Sequence, residues 1–193
     1  FDRLDKHKDV LDTWVGELYL ELHRGTLTTH GLVKKQNRKL EWKLRAVEML
    51  WSCLPLDKYP GKELDQMWKK LLINQFHDII PGSSINLVYQ TTHKEYDEIH
   101  QGCDALISNS AKLLFSDDPD AFVLANTLSY NWKGMIQVPE SFKGYSLIDE
   151  NNNPVPLQGT DDGLIAFVEL APLSFSTFKK GDQVENQSTK NDD

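Results

Sequence analysis

The sequence predicts an α+β protein: a three-helix bundle followed by the incomplete start of an antiparallel β-sandwich. Three observations carry that reading. Residues 28–115 set apolar side chains at helical spacing, and residues 121–180 change to short β-branched or aromatic runs. Proline and glycine sit where each element has to stop.

Taken in order, residues 1–27 begin charged and turn apolar in Trp14–Leu22. There Leu18, Leu20 and Leu22 alternate with Glu17, Tyr19 and Glu21, the period of a strand or extended segment, before the loop signal His23-Arg24-Gly25-Thr26. The stretch reads as the tail of something that precedes the bundle. In the first helix Leu40, Leu44, Val47, Trp51 and Leu54 form a heptad-like seam. Thr28 or Thr29 can cap it, and Pro55 and Pro60 close the segment. The second helix starts near Lys62, carries Leu64, Met67, Trp68, Leu71, Leu72 and Phe76 on one broad face, and stops before Pro81-Gly82. A third follows Ser83 or Ser84, with a stripe through Leu87 or Val88, Tyr96, Ile99, Cys103, Leu106, Ile107, Leu113 and Leu114. Short connections make the three run up, down and up.

Beyond residue 116 the runs Ala121–Ala125, Gly134–Val138, Tyr145–Ile148, Leu164–Val168 and Phe175–Phe178 predict strands. Turn chemistry separates them, as in Asn151-Asn152-Asn153-Pro154 and Asp161-Asp162-Gly163. Roughly 60 residues are meagre for a closed two-sheet core, so the sandwich reads as cut short. The expected organisation is therefore 1–27 as a tail or linker, 28–115 as the bundle, 116–181 as the β part and 182–193 as a disordered polar end.

Composition narrows the function classes. The 193 residues hold 21 Lys and Arg against 29 Asp and Glu, a formal charge of −8. That balance argues against a broad phosphate-binding surface, so no nucleic-acid partner is expected. No apolar run approaches the ~20 residues of a spanning helix, and Phe1-Asp2-Arg3-Leu4-Asp5-Lys6 lacks a signal-peptide core. No membrane partner is expected. Cys53 and Cys103 fit no metal or disulfide spacing and read as two buried free thiols in a reducing cytoplasm. Self-association into a homo-oligomer stays open.

The chemistry concentrates in Asn74-Gln75-Phe76-His77-Asp78-Ile79-Ile80-Pro81-Gly82-Ser83-Ser84-Ile85, polar side chains gathered at a helix end. Such an end is where a rigid scaffold offers groups to a site. A neutral His77 imidazole can bind a metal and the Asp78 carboxylate can hold a ligand; equally, His77 can bond late helix carbonyls and Asp78 cap the next turn. Zinc needs three or four ligands. His93 and His100, seven apart, read as a solvated face, and His7-Lys8-Asp9 as coincidence within a charged run. Glu17 and Glu21 stand ~13 Å apart on a strand, too far for a glycosidase carboxylate pair. Lys34, Lys35, Arg38 and Lys39 crowd the first turns of a helix, whose N-terminus disfavours cations. They form either a tolerated solvated face or, with His23 and Arg24, a surface meeting acidic residues of another domain or an anionic substrate group.

The run around His77-Asp78 resembles the helix-end motif of the glycoside hydrolase family 38 α-mannosidases. Trp14–Thr26 with Thr28-Thr29, the following Lys34/Lys35, Asn37-Arg38 and Glu41, and Ala125–Trp132 are similar to that family's lead into its helical domain and its first β strand and turn. The phrasing is closest to the cytosolic and bacterial branch. The resemblance covers residues ~10–180 in the expected order.

It implies a central fragment of a retaining α-mannosidase: the tail of the catalytic barrel, the middle-domain bundle and the first part of the β domain. By position His77 would be one ligand of a single zinc ion, and Asp78 would contact the α-mannoside. His23 and Arg24 are further substrate-contact candidates. Where the Golgi branch carries a second His before the ligand, this sequence has Phe76. The remaining ligands, the nucleophile and the acid/base belong to the barrel, the partner missing from this sequence, so the chain alone is expected to be inactive. A mannosylglycerate-type substrate also stays open. The contrasting reading is a non-enzymatic helical interaction module joined to a small carbohydrate-binding β domain, with Trp132, Phe142 or Tyr145 as its sugar platform.

Overall fold

The computed structural model describes residues 2–18 and 21–184. The chain opens with a single helical turn, α1 (Asp2–Asp5), then 3-10 turns at Lys8–Val10 and Glu21–Leu27. The alternation in Trp14–Leu22 does not become a strand. Trp14, Val15 and Leu18 are exposed, Tyr19 and Leu20 lie outside the described residues, and Glu21 already begins a 3-10 turn. An extended segment needs a neighbour for its backbone groups, and no described strand pairs with it.

By packing, the chain divides into two units, Phe1–Leu44 with Gly61–Cys103 and Arg45–Pro60 with Asp104–Asp193. Helices α2 (Gly31–Ser52) and α4 (Asn86–Leu114) contribute to both, and α3 (Gly61–Asn74) belongs to the first.

In the first unit the predicted seams close on one another. Val33, Leu40 and Leu44 of α2, Leu64, Met67 and Leu71 of α3, and Tyr89, Tyr96, Ile99 and Cys103 of α4 are all buried. Each such side chain contributes about 1.5–3 kcal/mol relative to exposure. Gly102 marks the close approach of α3 and α4, since a Cβ there would stand 2.7 Å from the Met67 sulfur. Polar pairs fix the same seams. Asn74 Nδ2 donates to Lys70 O at 2.9 Å and Glu95 Oε2 at 2.6 Å. His100 Nε2 lies 3.0 Å from Gln36 Oε1, and its Nδ1 lies 3.4 Å from Lys43 Nζ. His100 is thus a half-buried link between α2 and α4, not part of a solvated face.

The helix ends depart from expectation. α2 starts at Gly31, after His30 takes a left-handed φ of 52°. The Thr28 hydroxyl points back to Gly25 O, so it caps nothing ahead of it. Within α3 the buried stripe is narrower than expected, with Leu72 57% exposed, and the helix ends at Asn74, leaving Phe76 52% exposed beyond it. At the start of α4 Leu87 is exposed and Tyr89 takes the buried position.

In the second unit Val47, Leu50 and Trp51 are buried, and Trp51 Nε1 donates to Leu106 O at 3.0 Å. Leu113 is exposed. Both cysteines are free, but only Cys103 is buried; Cys53 lies past the end of α2 in an exposed turn. The β part holds β1 (Ala121–Asn126), β2 (Trp132–Val138), β3 (Tyr145–Ile148), β4 (Pro154–Val155), β5 (Leu157–Thr160), β6 (Gly163–Leu170) and β7 (Ser174–Gln183). They form two antiparallel sheets, ordered β1-β7-β3-β4 and β2-β6-β5. Val138, Ala166, Val168 and Leu170 of one sheet and Leu147 and Phe178 of the other share a core with Phe142. All five predicted strands are present. β4, at 2 residues, is too short to leave a period in sequence, and β5, Leu157–Thr160, carries Gln158-Gly159 in place of a β-branched or aromatic run. β7 continues through Gln183, past the expected onset of disorder, and residues 185–193 lie outside the described residues. Buried Asn126 turns the corner after β1: its Nδ2 meets Tyr130 O at 3.0 Å and Ala171 O at 2.7 Å, and its Oδ1 accepts from Leu128 N at 3.0 Å.

Tyr96 is 1% exposed and its hydroxyl finds no hydrogen-bond partner among the described residues. Burial, reinforced by Glu41 and Glu95, pushes its pKa up to about 12. The unfolded tyrosine ionises first as pH rises past its ordinary value near 10, so the unfolded state binds fewer protons and stability falls. Tyr96→Phe should be neutral or stabilising by about 1 kcal/mol at pH 7. Between pH 10 and 12 it should spare the fold on the order of 2 kcal/mol relative to wild type. Urea unfolding at both ends of the pH range measures this.

Candidate functional site

The connection from α3 to α4 has no long ladder of its own. Gln75 N and Phe76 N still bond Leu72 O and Ile73 O at 3.2 and 3.1 Å, and then the chain tightens: Ile79 N reaches Phe76 O at 2.8 Å and Gly82 N reaches Ile79 O at 3.1 Å. These turns turn His77 and Asp78 outward, with side chains 78% and 57% exposed. His77 Nε2 stands 3.5 Å from Asp78 Oδ2, and the Phe76 ring lies against the imidazole at 4.1 Å between centroids.

Side chains from α2 and α4 hold this turn. Lys34 Nζ donates to Thr29 O at 2.6 Å and to Ile80 O at 2.8 Å, so one ammonium joins the approach to α2 with the far side of the turn. Burial there draws the Lys34 pKa below its ordinary lysine value. On the near side Gln75 Nε2 donates to Asn37 Oδ1 and Glu41 Oε1, each at 3.0 Å. From α4, Tyr89 OH donates to Ile79 O at 3.3 Å and accepts from Ser84 N at 2.9 Å, while its ring stacks on His30 at 3.7 Å. Ser84 Oγ closes the loop on Asp78 O at 2.5 Å.

The basic cluster therefore divides. Lys34 is committed to carbonyl oxygens and Arg38 to Glu41 Oε2 at 3.2 Å, with its guanidinium 4.9 Å above the Trp42 ring. Lys35 and Lys39 are exposed. His23 is the non-helical residue within Glu21–Leu27, at φ −108°, and is half-buried; Arg24 Nη2 donates to Glu21 Oε1 at 2.6 Å. Their segment meets the turn through Thr29, which bonds Lys34 and lies against Gly82. Sequence reasoning passed over the inward use of Lys34, and also Gln75 and Tyr89. The available signal was Lys34 itself, a cation in the first turn of a helix with no acid beside it in sequence.

As a metal donor set, the turn offers one open imidazole and an adjacent carboxylate. No group of three or more His, Cys, Asp or Glu side chains comes together among the described residues. These residues fit one position of a zinc centre completed from elsewhere, not a whole centre. A separate groove of about 730 Å³ between the end of α4 and β1 is lined by Leu50, Ile107, Phe115, Phe122 and Leu124 and contains none of the candidate residues.

Residues 21–114 match the family model of the α-mannosidase middle domain, a span that includes His23, Arg24, His77 and Asp78. Human alpha-mannosidase 2C1 is 38% identical over 154 residues, 76% of this chain and 15% of the relative. Residues 21–114 belong to the α-mannosidase middle-domain family. Alpha-mannosidase G of Dictyostelium discoideum is 40% identical over 112 residues, 57% of this chain and 10% of the relative. The crystal structure of an α-mannosidase from Enterococcus faecalis V583 shares the fold at a TM-score of 0.61 and 19% identity, over 97% of this chain and 29% of that one. The chain thus spans 15% of the length of the human relative it matches. No helix of the described residues is long and apolar enough to cross a membrane.

Gly82 tests how tightly the turn is held. Its φ is +97°, and a Cβ would fall 2.6 Å from Thr29 Cγ2 and 3.1 Å from Thr29 O. Gly82→Ala should destabilise the fold by about 2–4 kcal/mol, combining left-handed strain with a clash against backbone. Thermal unfolding measures the loss.

Proposed function

We propose that this chain is the part of a retaining, zinc-dependent α-mannosidase that presents His77 as one zinc ligand and Asp78 as a contact to the sugar. The nucleophile and the acid/base would come from a barrel domain of the same polypeptide. The observation that carries this reading is a side chain 78% exposed on a turn whose two ends are pinned, within the segment matching the middle domain. An unneeded histidine requires no such fixing.

Zinc bound by His77 and the barrel ligands would act as a Lewis acid gripping the sugar hydroxyls. What this chain contributes is orientation: the imidazole is held relative to α2 and α4, and Asp78 Oδ2 stays beside its Nε2. Retention needs two carboxyls about 5–5.5 Å apart, which the barrel would supply. Exposed Leu72, Ile73 and Phe76, directly before His77, suit a surface that docks on that barrel, so metal binding and docking are linked. His23 and Arg24 belong to the proposal only as outer substrate contacts. Lys34 turns inward and Arg38 pairs with Glu41, so an anionic substrate would have to draw on Lys35 and Lys39, and the substrate we propose is a terminal α-mannoside. A reducing cytoplasm suits the free thiols and is part of the same proposal. The platform of the contrasting sugar-binding module is weakened: Phe142 is 1% exposed and Trp132 packs against the β core.

In the full-length enzyme, His77→Ala should lower zinc content and abolish hydrolysis of an aryl α-mannoside while helical circular dichroism is unchanged. Full zinc and full turnover in that variant would sink the reading. The 193-residue chain by itself should show no turnover.

A further inference from the structure

We propose that Lys34 is a positioning residue for His77, and that α2 presents it with Asn37 and Glu41 as a polar stripe built to fix the metal-facing turn. The inference rests on the zinc-ligand reading above. The three residues fall at i, i+3 and i+7, one face of α2. They grip the turn on both sides of the histidine: Asn37 and Glu41 hold Gln75, two residues before it, and Lys34 holds Ile80 O, three residues after it.

A lysine used only to stabilise the start of α2 would be misplaced, because the helix N-terminus carries partial positive charge. Lys34 is tolerable there because two carbonyl dipoles receive its ammonium at 2.6 and 2.8 Å. One of those carbonyls belongs to the turn, 46 residues away in sequence. Charge-assisted bonds are roughly twice as strong as neutral ones and more directional. The amide bonds of Ile79 and Ile80 to Phe76 O then transmit the hold to the two residues they enclose. A ligand that must meet donors from another domain gains from being fixed before they arrive, since small displacements are costly to such geometry.

The test uses the full-length enzyme and zinc itself, with the zinc dissociation constant read by chelator competition and local order by amide hydrogen exchange. Lys34→Met keeps the stem and removes the ammonium. It should raise the zinc dissociation constant about 10-fold, the low end of the effect of losing a group bonded directly to a metal ligand, because Lys34 acts through the backbone at Ile80. Exchange should quicken at Ile79, Ile80 and Gly82 while the amides of α2, α3 and α4 keep their protection. Lys34→Arg, which can also span two carbonyls, should restore most of the affinity. If His77→Ala loses zinc but Lys34→Met binds within twofold of wild type, the positioning role is wrong and the ligand assignment stands. If His77→Ala binds zinc as wild type does, the ligand assignment itself is wrong. Weakened zinc with all three helices exchanging faster in Lys34→Met would make Lys34 merely structural and overturn the proposal. Should Lys34→Met not fold, Gln75→Leu decides from the other side of the turn: unchanged zinc affinity there overturns the proposal.

Discussion

A shared proton donor holds the first unit's working end together. The Lys34 ammonium bonds Thr29 O and Ile80 O, and so ties the approach to α2 and the α3–α4 connection to the same point. Hydrogen bonds from a charged donor contribute about 1.5–3 kcal/mol each, more than neutral bonds between exposed loops. Without them α2 would hold the connection only at Gln75, and its far side would keep the Tyr89 bond to Ile79 O and its own short turns. Gly82 follows from this constraint. Thr29 is drawn so close to the connection that only a residue without Cβ fits opposite it.

The distribution of rigidity matches the division of labour in the proposed enzyme. Apolar seams set the helix spacing, with Met67 against Gly102 at the tightest point. Polar side chains add to them: His100 bridges α4 to α2, and at the end of α3 Asn74 and Gln75 reach Glu95, Asn37 and Glu41. His77 and Asp78 then stand at the surface with their own side chains uncommitted to the core. A domain that completes another domain's site needs such an arrangement: stiff behind, open in front.

Much of this was legible in sequence, for physical reasons. Leu40, Leu44, Val47 and Trp51 repeat as a buried helical seam must, and all four are buried. The five predicted strands announced themselves by β-branched or aromatic runs between turn residues. The failures share a cause: a hydrophobic period says which face an element would bury, not where the element ends. Phe76 continues the period of α3 past Asn74, where the buried Asn74 amide and the Gln75 anchor redirect the chain. Leu18 alternates like a strand residue but has no strand beside it. Cys53 was assigned to the interior by residue type, whereas it falls past the last turn of α2. At the site, His77 and Asp78 could be singled out because a short motif holds them. The Lys34–Ile80 bond could not, because its acceptor is a backbone atom that no side-chain pattern reports.

That choice of acceptor has a corollary. Lys34 binds Ile80 O, Tyr89 binds Ile79 O and Ser84 binds Asp78 O, all of them main-chain oxygens. The scaffold grips the peptide chain of this turn without reading the identities of those three residues. The side chain at position 78 can therefore change without loosening the hold on the turn, while the histidine beside it keeps its address.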